Sequence, residues 1–438
     1  KDELDLWLST QNVSQGGGQG GGVGRGLGIP PGNVHSVCEY VGGGFGSKFS
    51  PDQWDGAAAK LAQKTGKPVK IMLDRDVELL TAGSRPSAFA KVRVAGKKDG
   101  SIVAWESTHW GSGGASGGVA AAGLLPYVFT GVPNLKTKAS AIVTNIGPQR
   151  AWRAPNHPQG AALTMTALAD LAAAINMDEL EFFKANAKLT GRPDIYIEEL
   201  NIGGELIGWK KKWHPRGDKS PGPVKRGLGI SLHTWGGTPH NSKCDVTVNP
   251  DGGVVVQLGT QDPGTGTRTV LAIVAAETFG LNVPDIKVII GDSRYKESGA
   301  SGGSTTVGGI SAACRRGCLD ALDQLFEKVA PTLEAKPEDL VIAEGKIQVK
   351  GNPAKSVSWK KACAALGMSS ISVTGAQPGP NTGEFKLASG GVGGIQIADV
   401  SVDIETGVVK MNEFVAVQDQ GLVINAKTCE SQIHGAVI

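Results

Sequence analysis

Three glycine-rich segments carry the residue types best suited to chemistry. They are Gly42-Gly-Gly-Phe-Gly-Ser-Lys48, Gly259-Thr-Gln-Asp-Pro-Gly-Thr-Gly-Thr267 and the hydroxyl-rich stretch 299–309. Glycine lets main-chain amides come close to a ligand and reach positive φ, so such loops suit an anionic or large flat cofactor. The first loop fails the familiar phosphate signatures. A Walker A loop needs Gly before its Lys and Ser or Thr after it, whereas Ser47 and Phe49 flank Lys48. A dinucleotide fingerprint needs a third Gly three residues after the second, and Ser47 stands there. The third loop leads into a helical pattern from Val307. Its hydroxyls and amides suit an anion at a helix N-terminus. Equally, Ser304, Thr305 or Thr306 can simply cap that helix, and the residues leave both readings open.

Hydrolytic and protein-ligated metal chemistry find little support. No Gly-x-Ser-x-Gly elbow occurs in a strand–helix context, and the seven His residues are scattered, with His233 and His240 not at HExxH spacing. Six cysteines show no CxxC spacing, which argues against a structural zinc site and a disulfide framework. Cys314 and Cys318 are four apart in a helical stretch and read as small residues on a packed face.

The elements that must position these loops alternate strand and helix. Residues 34–41, 69–73, 254–258 and 286–290 read as strands, and 89–94 with 102–105 as a hairpin turning at Lys98-Asp99-Gly100. Helical patterns cover 52–65, 158–175, 178–187, 268–279, 307–330 and 358–366. Strands at 394–403 and 407–417 close the series. The glycine run from Gln15 to Arg25 reads as a flexible linker, and the polar, proline-bearing 210–226 as a domain connection. Each half thus contains strand, glycine loop, helix and strand. The mixed order predicts an α+β fold and not one doubly wound parallel sheet.

The chain has 438 residues, enough for two or three domains, and 64 are Gly, about twice the usual share. Basic and acidic residues balance at 44 against 41, so nucleic acid is not an expected partner. No run of 18 apolar residues exists, so no membrane-spanning helix is expected. The chain opens on Lys1, with Asp5–Gln11 reading as a strand already under way, and stops inside the apolar Gln432–Ile438. Both ends suggest a piece of a longer polypeptide.

Taken together the motifs are specific. Ser9-Thr-Gln11, Gly42-Gly-Gly-Phe-Gly46, Lys67-Pro-Val-Lys70, Leu73-Asp-Arg75, Trp152-Arg153 and Pro158-Gln159 occur in the first half. Gly259-Thr-Gln-Asp-Pro-Gly-Thr-Gly266, Ala300-Ser-Gly-Gly-Ser304 and Glu430-Ser-Gln-Ile-His-Gly435 follow in the second. In this order the chain resembles the large, molybdopterin-binding subunit of the xanthine dehydrogenase / aldehyde oxidoreductase family of molybdenum hydroxylases, truncated at both ends. The resemblance implies two elongated, mixed α/β molybdopterin-binding domains with the cofactor groove between them. They would span 1–205 and 225–438, joined by a linker at 206–224. It also implies molybdenum held by the pterin dithiolene, with no direct protein ligand; the mono- or dinucleotide form stays open.

Residue by residue, Gln11 matches the glutamine that hydrogen-bonds an oxygen on molybdenum, and Arg153 the arginine on the substrate side. Gly44, Phe45 and Gly46 match the loop that approaches the metal. Thr265, Ala300, Ser301, Gly303, Ser304 and Gln432 fall at cofactor positions, Thr265 replacing the glutamine often found there. The general-base glutamate is expected beyond Ile438. The implied reaction is oxidation of an aldehyde or an N-heterocycle with water as oxygen source, purines being disfavoured by Phe49 and carbon monoxide by Ala154. The alternative is a non-catalytic relative or glycine-rich scaffold of the same fold. Iron–sulfur and flavin partners are implied, and the cytoplasm is favoured over the periplasm. A piece of this extent is expected to be isolated without molybdenum and inactive. Gln11 by itself reads as a polar strand-end residue whose replacement changes stability by no more than about 0.5 kcal/mol.

Overall fold

A computed structural model describes residues 2–14, 19–115, 124–378 and 391–438. In chain order, β1 (Leu4–Trp7), α1 (Gln19–Arg25), β2 (Val34–Val37), α2 (Gln53–Thr65) and α3 (Arg75–Thr81) come first. Then follow β3 (Ser87–Gly96), β4 (Ile102–Ser112), β5 (Asn134–Ala141), α4 (His157–Ala174), α5 (Glu179–Asn186), α6 (Pro193–Ile207) and α7 (Trp209–Lys212). The second half runs β6 (Val224–Trp235), β7 (Ser242–Val248), β8 (Val254–Leu258), α8 (Thr267–Phe279), β9 (Ile286–Ile290) and α9 (Thr306–Val329). It ends with β10 (Leu340–Ala343), β11 (Lys346–Val349), β12 (Asn352–Ser358), α10 (Trp359–Ala364), β13 (Ile371–Gln377), β14 (Val392–Asp403), β15 (Val409–Asp419) and α11 (Ala426–Val437). Mixed helices and strands in this order are the α+β fold that the sequence implied.

The chain forms two compact units that do not follow chain order. Unit 1 comprises Lys1–Met72, Gly237–Ser389 and Val423–Ile438; unit 2 comprises Leu73–Gly236 and Gly390–Leu422. The expected boundary near 206–224 therefore does not coincide with the division into compact units. The cause is long-range strand pairing: β14 lies antiparallel to both β6 and β15, which brings 390–422 back to unit 2. Ile230 and Leu232 of β6 share a core with Ile395 and Ile397 of β14. Ile207 and Trp209 are buried, and the Trp209 indole N–H donates to the Asp178 carboxylate (3.0 Å).

Unit 1 is built on a four-stranded sheet in the order β13-β7-β8-β9, with β8 and β9 parallel. Helices α8 and α9 bury Leu271, Phe279, Ile310, Cys314 and Leu325 against Val246, Val256 and Leu258. Cys314 and Cys318 belong to this core, their sulfurs 4.0 Å apart. The parallel pair β1–β2 flanks the sheet through a bridge between Val37 and Asp292. Residues 19–25, expected as flexible linker, form α1 instead; residues 15–18 of that run lie outside the described residues. Glycine is what lets α1 lie on β2: a Cβ at Gly24 would stand 2.4 Å from a Val34 methyl carbon. Val69–Leu73, expected as a strand, pairs in no sheet among the described residues.

Unit 2 holds two three-stranded sheets, β3-β4-β5 and β15-β14-β6. Helices α4, α5 and α6 supply Leu168, Phe182, Phe183, Tyr196 and Leu200 to a core shared with Trp105 and Phe129. Among the described residues no single helix is long and apolar enough to cross a membrane.

Candidate functional site

The polar loops of unit 1 meet around Gln11, which is only 4% exposed. Its Nε2 donates to the carbonyl of Ser301 (2.7 Å), 290 residues away. Its Oε1 accepts from the N–H of Gly46 (2.9 Å) and of Lys48 (3.3 Å). Its main chain donates to Lys48 O (2.8 Å) and accepts from Ser301 N–H (2.7 Å). One glutamine therefore fastens the first and third glycine loops to each other. An amide nitrogen carries two hydrogens, so one remains beyond the bond to Ser301. Flanking residues extend the fastening. Val13 N–H donates to Gln261 Oε1 (2.9 Å), whose Nε2 donates to Ser301 Oγ (2.5 Å), and Ser14 Oγ donates to Gly259 O (2.5 Å).

The first glycine loop follows β2 and precedes α2, as expected. It turns through positive φ at Gly42 (69°), Gly43 (86°), Phe45 (51°) and Gly46 (97°). A side chain at Gly44 would place Cβ 2.4 Å from Gln11 Oε1, so only glycine admits the amide there. The Phe45 ring stays 51% exposed. The N–H of Gly46 is committed to Gln11, so this residue holds the glutamine in place. Phe49 packs against the third loop: a Cβ at Gly302 would lie 2.3 Å from its ring.

The second and third loops each open a helix, and the two helix ends differ. At α8 the Asp262 carboxylate accepts from the N–H groups of Gly264 (2.9 Å), Gly266 (3.2 Å) and Arg268 (3.3 Å). At α9 no side chain caps the helix. Thr305 Oγ1 turns back to donate to Gly302 O (2.7 Å), and neither Ser304 nor Thr306 supplies the expected cap. Gly303 and Ser304 are exposed here, with φ of 66° and 58°. Ala300 and Ser301 lead into the same end, and Ser301 is buried. Thr265 lies in the loop before α8, and α11 approaches that loop through Thr428, whose methyl carbon would be 2.9 Å from a Cβ at Gly266. Gln432 stands one helical turn beyond Thr428 on α11.

Three residues that sequence reasoning missed lie beside this loop. Thr260 Oγ1, Thr267 Oγ1 and one Arg268 Nη are buried without a hydrogen-bond partner. The Arg268 guanidinium lies over the Tyr40 ring, 4.6 Å from its centroid. Buried polar atoms are ordinarily bonded, so these two hydroxyls and the guanidinium are polar groups left over by the protein itself. The available signal was a Thr-Arg pair at the start of a helix behind a glycine loop.

Arg153 stands on unit 2, in the loop before α4. Arg85 Nη2 donates to its carbonyl (2.8 Å), and burial pulls its guanidinium below the ordinary arginine value. Ala154 and Asn156 beside it have positive φ (54° and 65°), unusual for non-glycine residues. Gly44, Gly46 and Ser301 thus gather around Gln11, Thr265 and Gln432 lie by the start of α8, and Arg153 belongs to a strained loop of unit 2. Residues 116–123 lie outside the described residues.

A pterin-borne metal fits the donor set of unit 1. The loops offer main-chain amides, hydroxyls, an uncapped helix end and unpartnered polar atoms. Among the described residues no group of three or more His, Cys, Asp or Glu side chains is placed to hold a metal ion directly.

An α+β fold whose glycine-rich loops offer main-chain amides suits a binder of a large organic cofactor. Two matches to the molybdopterin cofactor-binding domain, at residues 1–187 and 203–438, make the class specific. The chain belongs to the molybdopterin-binding family. It is 28% identical over its entire length to the aldehyde oxidoreductase molybdenum-binding subunit PaoC of Escherichia coli K12, of which it covers 59%. It is 26% identical to xanthine dehydrogenase/oxidase of Mus musculus, covering 33% of that protein. The chain therefore spans between a third and three-fifths of the length of these relatives. Its fold is that of quinoline 2-oxidoreductase from Pseudomonas putida 86 (TM-score 0.81, 22% identity, 98% of this chain and 59% of that one). The aldehyde oxidoreductase of Desulfovibrio gigas is similar at TM-score 0.69, with 22% identity over 94% of this chain and 45% of that one.

Proposed function

We propose that the chain is the cofactor-binding part of a molybdenum hydroxylase catalytic subunit that oxidises an aldehyde or a non-purine N-heterocycle with water as the oxygen source. The observation that carries this reading is Gln11, which ties the 42–48 loop to the 299–304 loop by both ends of its amide. Gly44, Phe45, Gly46, Thr265, Ala300, Ser301, Gly303, Ser304 and Gln432 are the residues assigned to the cofactor, with Thr260, Thr267 and Arg268 added to them. When bound, the pterin-held molybdenum supplies the two-electron redox centre.

The chain's own contribution is positional. The second Nε2 hydrogen of Gln11 is the donor assigned to an oxygen atom of the cofactor. The α9 N-terminus and Ser304 hydroxyl suit a phosphate of the pterin, and the Arg268 cation suits another anionic oxygen. The α8 end is already taken by Asp262 and is not assigned. Arg153 is assigned to orient the substrate. Electrons leave through iron–sulfur and flavin partners, as expected for this family, and no residue of this chain is assigned as general base.

The test uses the holoprotein that carries these residues, expressed with cofactor supply and its electron-transfer partners. Stoichiometric molybdenum and pterin, with dye-linked oxidation of aldehydes or N-heterocycles, is the expected result. A well-folded preparation that takes up no pterin would overturn the assignment.

A further inference from the structure

Unit 2 contains a side-chain clamp that nothing above uses. We infer that Tyr127 and His157 are positioning residues that lock the 152–157 loop to the edge of β6 and thereby hold Arg153 in its working place. The inference rests on the proposed role of Arg153 for its functional half only.

The loop is strained and is tied at several points. Ala154 and Asn156 sit in the left-handed region, with one residue between them. Such conformations persist where the surroundings over-determine them. Gln149 N–H donates to Gly113 O (2.9 Å) and Arg150 N–H to Ser84 O (2.9 Å), fixing the entry. Arg85 Nη2 holds the Arg153 carbonyl (2.8 Å), and Gln159 Nε2 donates to Pro86 O (2.7 Å) just past the exit. His157 is the first residue of α4, and no side chain caps that helix. The exit therefore depends on where His157 itself is held.

Tyr127 does the holding. Its hydroxyl lies 2.9 Å from His157 Nδ1, accepts from Thr234 N–H (3.0 Å) and lies 3.1 Å from Thr234 O. Thr234 is on β6, which among the described residues pairs with β14 on one side only, so these main-chain groups lie on the other edge of the strand. One hydroxyl thus occupies the edge position a further strand would take and also grips the imidazole. It has one hydrogen for two neighbouring acceptors. Either it donates to Thr234 O while His157 Nδ1–H donates to it, or it donates to a bare Nδ1. Both arrangements keep the grip and neither needs a charge. Burial pushes the Tyr127 phenol up to about 12 and pulls the His157 imidazole below its ordinary value, so both are neutral near pH 7. The Trp235 ring closes over the imidazole, 4.6 Å between centroids.

The experiment measures hydrogen exchange by mass spectrometry on the holoprotein and steady-state kinetics on the same preparations. Tyr127→Phe keeps the ring and loses the grip. Amides of 150–160 are expected to exchange about tenfold faster while β14 and β15 are unchanged. His157→Asn, which keeps a polar atom near the Nδ1 position, is expected to restore slow exchange, and His157→Leu is not. In turnover, Tyr127→Phe raises KM with little change in kcat, and adds nothing on an Arg153→Ala background. Unchanged exchange in Tyr127→Phe overturns the clamp whatever the kinetics. Faster exchange with additive KM effects removes Arg153 from the inference. If the wild-type holoprotein turns over no substrate, the proposed function fails and the exchange result still decides the clamp.

Discussion

The two helix ends of unit 1 look alike in sequence and differ in chemistry. Both α8 and α9 follow glycine-rich, hydroxyl-bearing loops, and both could hold an anion. At α8 the protein supplies its own anion, the Asp262 carboxylate, bonded to three main-chain amides. At α9 the Thr305 hydroxyl donates to a carbonyl instead, and the N-cap residue makes no side-chain capping bond. A carboxylate five residues ahead of α8 thus occupies that end, while the N-cap of α9 is not capped by its own side chain. The site is defined as much by which polar groups the chain satisfies internally as by which it leaves over.

The same contrast divides unit 2. Asp178 at the start of α5 accepts from Leu180 N–H (2.8 Å) and from the Trp209 indole. Glu199, on the buried face of α6, is 4% exposed with both oxygens unpartnered. Burial pushes its carboxyl up to about 7, although the Arg192 cation opposes this.

The largest expected effect comes from breaking the bridge that holds the open end in place. In the holoprotein, Gln11→Ala should lower turnover by ~10²-fold, the usual cost of a lost donor at such a centre. It should also cost about 1–3 kcal/mol of stability, because Gly46 N–H and Ser301 O lose a buried partner. That corrects the mild stability effect expected from its strand-end position. Chemical denaturation and kinetics on one preparation check both halves.

Asp262→Ala sharpens the comparison directly. Removing the carboxylate that closes α8 should cost about 1 kcal/mol and leave molybdenum content unchanged. The converse replacement, Ser304→Asp, should place a carboxylate near the open α9 end and deplete pterin and molybdenum, with stability held within about 0.5 kcal/mol. Elemental analysis beside thermal melts reads both. If the two variants lose cofactor equally, the helix ends are not different in the way described.

Glu199 gives a smaller, pH-dependent effect. Its folded value is raised above the ordinary carboxylate value, so its favourable contribution is present at low pH. That contribution is lost as pH rises from about 4.5 through about 7. Glu199→Gln should therefore raise the melting temperature at pH 8 and leave it nearly unchanged at pH 4. Melts across that range are the check, and an unchanged profile would contradict the assignment.

How much was legible in sequence follows from the range of the interactions. Helices α2, α4, α8 and α9 were readable to within a residue or two, because periodicity and flanking glycine or proline act locally. Helix α1 was not, since a glycine run reads as linker until Val34 and Ser36 are known to lie against it. The compact units were not legible either: β14 finds β6 across more than 150 residues, and no local signal announces the pairing. Gln11, Gly46 and Ser301 were assigned through family likeness, and the structure adds why they belong together, through one amide. Thr260, Thr267 and Arg268 were missed because an unpartnered buried atom is a property of packing, with no counterpart in residue type or spacing.

The central claim is that the loops joined by Gln11 form the cofactor cradle. Anomalous diffraction from holoprotein crystals at the molybdenum edge tests it most directly. The account predicts one molybdenum peak beside the 42–48 loop, with a ligand oxygen within hydrogen-bond reach of Gln11 Nε2. A molybdenum peak lying away from Gln11, with the amide still bonded only to Gly46, Lys48 and Ser301, would contradict it.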